Sequence, residues 1–185
     1  MCVRHFVIRA SSSSSSSKPN QTSLWNENSL HLYNKQSFLS KPTIEHIIPR
    51  RLFYSAQKRD ANNPWNMGLC DALTNSKRSD FKYGDVYRLR HDSYEVITIY
   101  DPHRPSVING YIDYPKRIFY PSYNADFGFI GRSIIHMLST YPYLYSCLDE
   151  IVVHPDILSK WSQYPISDYE RHHPLRTYAS NHDKH

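Results

Sequence analysis

No two cysteines in this sequence stand close together. The three that occur, Cys2, Cys70 and Cys147, are widely spaced and odd in number. The lack of any CxxC pair argues against a structural zinc ribbon, and a disulfide framework is equally disfavoured. A reducing, intracellular compartment is the expectation. No apolar run approaches the roughly 20 residues that a membrane-spanning helix needs, so no membrane association is expected. Acidic residues are missing before Glu27. That stretch opens with "MCVRHFVIR", whose apolar centre (Phe6, Val7, Ile8) is too short for a secretory signal. An unbroken serine run follows, Ser11 to Ser17, too polar to pack. Its arginine and serine content is compatible with an organelle presequence, but a flexible tail is the preferred reading. Residues 1–40 are therefore expected to form a poorly ordered N-terminal tail, and 41–185 one folded domain.

The chain has 185 residues, enough for one real core. Its 12 prolines argue against a helical bundle and for many loops. The net charge is +5, and it is concentrated. Residues 41–90 hold ten Lys or Arg against five acids, which accounts for the whole excess. An anionic partner is plausible on that basis.

From Lys41 onward the texture becomes that of a folded chain. Thr43 to Ile48 reads as a strand, with β-branched residues before Pro49. Arg50 to Pro64 is a polar loop closed by the turn signal Asn62-Asn63-Pro64. Asp71 to Phe81 reads as a short helix with Asp71 as its cap. Tyr94 to Tyr100 is a second strand. Asn109-Gly110 predicts a tight turn that breaks Val107 to Ile112, with Arg117 to Tyr120 pairing nearby. The spacing of Ile134, Ile135, Leu138 and Tyr141 predicts a helix over 131–144. Further helical pieces are expected over 156–164 and 167–178, the last interrupted at Pro174. No internal repeat is present.

"TIEHIIPRRLF", Thr43 to Phe53, concentrates a carboxylate (Glu45), an imidazole (His46) and paired cations (Arg50, Arg51). Asn75 follows in the predicted helix, and Asn66 in the loop before it. An imidazole that is neutral near pH 7 can take a proton from water. An amide carbonyl and a carboxylate supply the oxygen ligands that Mg²⁺ prefers, and such a cation neutralises charge growing on a phosphate. Arg50, Arg51, Lys77 and Arg78 are then the candidates for holding flanking phosphates. Neighbouring residues on a regular strand face opposite ways, so Glu45 and His46 converge only if the strand bends or the metal sits at its edge.

"EHIIPRRLF" followed by "NMGLCDALTNSKRSDFKYG" resembles the endonuclease I family of His-Me finger (ββα-metal) nucleases. "GFIGRSIIHMLSTYPYL" and "LSKWSQYPISDYERHHPLRTYASNH" resemble two later family segments, so the likeness spans roughly residues 43–182. It implies an α+β fold: a His-Me finger core with additional helices and a small antiparallel sheet. It implies a largely non-sequence-specific endonuclease that cuts DNA, and often RNA, leaving a 5′-phosphate. One divalent metal per site is implied, Mg²⁺ or else Mn²⁺ or Ca²⁺, in a monomer. Residue by residue, His46 matches the general base, and Glu45 and Asn75 the metal ligands. Asn66 matches an amide that orients the base or props the metal loop, and Arg132 an arginine facing the phosphate. Only 44 residues precede the EH pair, so the family's helical lobe there is expected to be missing, and its Asp-Leu-His run is replaced by "WNMGL". The competing expectation is therefore a catalytically inactive nucleic-acid-binding remnant of the same fold.

Overall fold

The computed structural model describes residues 29–36, 38, 41–89, 94–101 and 104–173. The serine run, the presequence-like start and Pro174 lie outside the described residues. The architecture is α+β, with one two-stranded antiparallel hairpin, one mixed four-stranded sheet and helices packed against them. No helix among the described residues is long and apolar enough to cross a membrane.

The hairpin pairs β1 (Thr43–His46) with β2 (Met67–Cys70) in a regular register, Thr43 opposite Cys70 and His46 opposite Met67. β1 stops at His46, short of the expected Ile48, and Pro49 leads into the three-residue 3-10 turns that fill the loop to β2. Helix α1 (Ala72–Arg78) leaves β2 directly. The Asp71 carboxylate accepts from the Thr74 amide at 2.8 Å, satisfying one of the donors that a helix start leaves open. Helix α1 stops where Ser79 adopts a left-handed conformation, φ 51°. The unit is thus strand, loop, strand, helix.

The second sheet has the order β3 (Lys82–Tyr83), β6 (Ile118–Pro121), β5 (Arg104–Asp113), β4 (Glu95–Asp101). β3 runs parallel to β6, and the other pairs are antiparallel. The turn predicted at Asn109-Gly110 is not there, because both residues sit inside β5. Asn109 is fully buried, and its amide nitrogen donates to Asp71 Oδ2 at 2.9 Å and Thr74 Oγ1 at 2.8 Å. Gly110 lies beneath the Phe119 ring, where any Cβ would clash. A buried amide and a close ring contact thus use the dipeptide that more often makes a turn. The chain reverses instead at 114–117, with Arg117 at φ 55°.

Helix α2 (Phe127–Thr140) begins one turn earlier than its apolar spacing predicts, because Asp126 caps it through the Phe129 amide. Pro142 opens the 3-10 turn that follows it. Phe129, Ile130, Ile134 and Met137 face the core. Two further short helices, α3 (Leu148–Ile151) and α4 (Asp156–Ser162), precede α5 (Asp168–Arg171). Trp161 of α4 is fully buried against Phe127.

Part of the expected N-terminal tail belongs to the core. Leu32 and Tyr33 are fully buried and His31 nearly so. The Leu32 amide donates to Leu69 O at 2.8 Å, and Ser122 Oγ donates to Tyr33 O at 2.6 Å. Gly68 makes room for this segment: a Cβ there would stand 2.8 Å from Leu32 Cδ2. The apolar patch Leu30 to Tyr33 is too short to stand out beside polar neighbours, and it is buried by a groove that only the tertiary fold creates. The folded unit therefore starts before residue 41.

Candidate functional site

His46 is the last residue of β1, half-buried, with its ring on the strand face opposite Glu45. Its Nε2 lies 3.3 Å from Asn62 Oδ1. An amide oxygen only accepts, so Nε2 carries the proton and the lone pair lies on Nδ1. Burial pushes the imidazole below its ordinary value; the Asn62 bond opposes that shift, and the Arg50 and Arg78 charges reinforce it. The ring is therefore neutral at neutral pH, which a proton acceptor requires.

Asn62 was not anticipated. In the sequence it belongs to an Asn-Asn-Pro turn signal, and the one hint of a further role is an exposed polar residue in a loop that returns to β1. Asn66, expected in the catalytic set, is instead fully buried. Its Oδ1 accepts from Ile48 N at 2.7 Å, and its Nδ2 donates to Ile48 O at 3.1 Å and Ala61 O at 2.9 Å. With its amide tied to backbone it cannot touch substrate. It props the loop and, through Ala61, fixes the neighbouring Asn62. Asn66→Ala is expected to cost about 2–4 kcal/mol of stability, from three lost bonds and the orphaned backbone groups. Urea unfolding measures this. Unchanged stability with lost activity would restore Asn66 to the catalytic set.

Glu45 points into the core and is 1 % exposed. Its Oε1 accepts from Arg78 Nη1 at 2.6 Å and from the Tyr33 hydroxyl at 3.0 Å. Burial pushes the carboxyl up from the usual carboxylate range, against the Arg78 charge and these bonds. Both of these bonds fall on Oε1, and Oε2 takes none among the described residues.

Arg78, expected on phosphate, is fully buried and committed. Besides Glu45 it donates to His46 O at 2.6 Å and Ile47 O at 2.7 Å, and its guanidinium sits 4.7 Å from the Tyr83 ring centre. It fastens the exit of β1 to α1 and cannot reach a ligand. One turn earlier on α1, Asn75 donates through Nδ2 to Ile44 O at 2.9 Å and Thr43 Oγ1 at 3.1 Å. That anchoring leaves Oδ1 without a donor among the described residues. Two side-chain oxygens of this unit thus lack a described donor, Asn75 Oδ1 and Glu45 Oε2, each the twin of an anchored atom. No group of three or more His, Cys, Asp or Glu side chains able to hold a metal occurs among the described residues. Two oxygens suit Mg²⁺, which keeps several waters and shares substrate phosphate rather than filling an all-protein cage.

The remaining predicted residues divide sharply. Arg132, expected to face phosphate, forks onto Glu170 and donates to Ser162 O at 2.8 Å and Tyr164 O at 2.6 Å. It ties α2 to the end of α4 and to α5, so it is a structural clamp. Arg51 is exposed but paired with Asp80 and Glu150, each at 2.5 Å. Lys77 pairs with Glu95 at 2.7 Å, an exposed contact of the kind worth little and easily exchanged. Arg50 is exposed beside His46 and has no carboxylate partner among the described residues. Lys58 and Arg59, on the same loop, are likewise exposed and unpaired with any described carboxylate.

No family model matches the chain, and no curated protein matches it.

Proposed function

We propose that this protein is a metal-dependent endonuclease of low sequence specificity, built on a His-Me finger (ββα-metal) core formed by β1, β2 and α1. The supporting observation is that one hairpin and the helix behind it carry a neutral, half-exposed imidazole and two oxygens that lack protein donors. His46 Nδ1 accepts a proton from the attacking water, with Asn62 holding the opposite ring nitrogen. Asn75 Oδ1 would hold one divalent cation, Mg²⁺ or else Mn²⁺ or Ca²⁺, at the edge of β1, and Glu45, which faces the core on the other side of the strand from His46, would join it only by turning away from Arg78; the cation would supply charge neutralisation at the phosphate and the leaving oxygen. Arg50 holds a neighbouring phosphate, and its charge also disfavours protonation of His46. Contacts of this kind go to phosphate and carry no base information directly, so DNA and RNA are both substrates and sequence preference is weak.

The test is nicking of supercoiled plasmid. Nicks with 5′-phosphate ends are expected with Mg²⁺ and none with excess chelator. Equal cutting in chelator would remove the metal from the mechanism. One observation favours a second reading, an inactive nucleic-acid-binding fold: the charge of Glu45 is already balanced by Arg78 inside the core. That reading predicts retardation of DNA in a gel at low salt without nicking under any metal.

A further inference from the structure

The loop between β1 and β2 carries an aromatic feature that the core does not need. Tyr54 is 49 % exposed even though one face of its ring is covered. That face lies on Tyr143, with centroids 5.0 Å apart and planes inclined by 27°. The Tyr143 hydroxyl donates to Asp60 Oδ2 at 3.4 Å, which holds the backing ring to the same loop. Asp60 opens the 3-10 turn that ends at Asn62, the residue against His46. Asp60 and Asn62, two residues apart, thus touch the backing ring and the imidazole respectively.

Charge on this loop is distributed in a telling way. Arg51 of the loop has carboxylate partners, as do Lys77 and Arg78 of α1 and Arg88 beyond β3. Arg50, Lys58 and Arg59 have none among the described residues and stand exposed on either side of Tyr54 in the chain. A flat plate with one face backed and half its surface exposed, flanked by cations that no described carboxylate neutralises, suits a polyanion that carries planar rings. In a duplex each base already has both faces covered by its neighbours. In a single strand the bases offer free faces, and aromatic side chains bind them without regard to sequence.

We infer that Tyr54 is a base-stacking platform and that the preferred substrate is a single-stranded polynucleotide, one base lying on Tyr54 and adjacent phosphates on Arg50, Lys58 and Arg59. The inference rests on the nuclease reading for the use made of the bound strand. Its binding test does not, because that test runs in chelator, where nothing is cut.

Fluorescence anisotropy with the full chain uses three labelled probes: an oligothymidylate, an abasic strand of equal length, and a blunt duplex. Wild type is expected to bind the oligothymidylate more tightly than either of the others. Tyr54→Ala weakens the oligothymidylate by about five- to a hundredfold, the range typical of one lost stack. It leaves the abasic strand unchanged, and Tyr54→Phe retains wild-type affinity. Lys58→Gln lowers the slope of log affinity against log salt by about 0.7, the share of one phosphate contact on a single strand. An unchanged urea midpoint for Tyr54→Ala shows that folding is intact. Undiminished oligothymidylate binding by Tyr54→Ala overturns the inference, and so does an equal loss on the abasic strand or the duplex. Absence of plasmid nicking together with a Tyr54 effect sinks the nuclease reading and leaves the platform standing.

Discussion

His46→Ala is expected to lower Mg²⁺-dependent plasmid nicking by about a hundred- to ten-thousandfold, the usual worth of a positioned general base. Affinity for DNA is expected to stay near that of wild type, because the imidazole makes no phosphate contact in this mechanism and Arg50, Lys58 and Arg59 are untouched. A strand held but not cut is the signature. If His46→Ala nicks plasmid as fast as wild type, the imidazole is not the base and the proposed mechanism fails. Asn62→Ala acts through His46 and is expected to give a smaller loss, with a changed pH profile. The acid limb of the wild-type profile should lie below the ordinary histidine value of about 6.5, since the fold holds His46 beneath it. Asn62 opposes that downward shift, so its removal moves the limb further down.

The same shift acts on stability, with a defined sign. The unfolded chain takes up a proton at residue 46 near pH 6.5, while the folded chain refuses it until a lower pH. The unfolded state thus binds more protons in that window, and stability falls as pH drops from about 6.5 toward the folded value. His46→Ala removes that part of the slope and nothing above it. Urea midpoints of the two proteins, followed across the window, compare them directly.

Arg78→Ala is expected to cost about 3–5 kcal/mol, the largest stability loss among these substitutions, because it strands a buried charge. Glu45 would keep only the Tyr33 hydroxyl, and the carbonyls of His46 and Ile47 would lose their donor. Arg78 is 1 % exposed, so water does not readily replace it. The double variant Glu45→Ala with Arg78→Ala should lose less than the sum of the single changes, since neither charge is then left alone. Denaturant unfolding of the four proteins gives the coupling. A loss under about 1 kcal/mol for Arg78→Ala would mean that the pair is solvated and that Arg78 is available to phosphate after all.

How much of the site could be read beforehand depends on the distance along the chain. Strand β1 and helix α1 were legible because their signals are local: β-branched residues ahead of a proline, and an aspartate one position before the helix. The position of His46 on the strand followed from the same run. The roles of Arg78 and Arg132 were not legible. Each looks like any surface cation until its partner is known, and those partners lie 33 and 38 residues away. Tyr33 was hidden for the opposite reason, since it stands in a short apolar patch among polar neighbours. Asn109-Gly110 is the clearest case of tertiary context overriding a local preference, a buried amide and a ring-covered glycine using a dipeptide that elsewhere makes a turn.

By itself the sequence determined the α+β texture, the hairpin strand with its histidine, the capped helix behind it, and an excess of positive charge in residues 41–90. These are properties of neighbouring residues, and neighbours interact however the rest of the chain is arranged. Only the tertiary structure decided which cations stay free and which are consumed: Arg50, Lys58 and Arg59 face water, while Arg78 is enclosed with Glu45 and Arg51 is held by Glu150 from 99 residues away. A charge near one of opposite sign is neutralised whatever the separation in sequence, so the number of cations is set by composition and their availability by the fold.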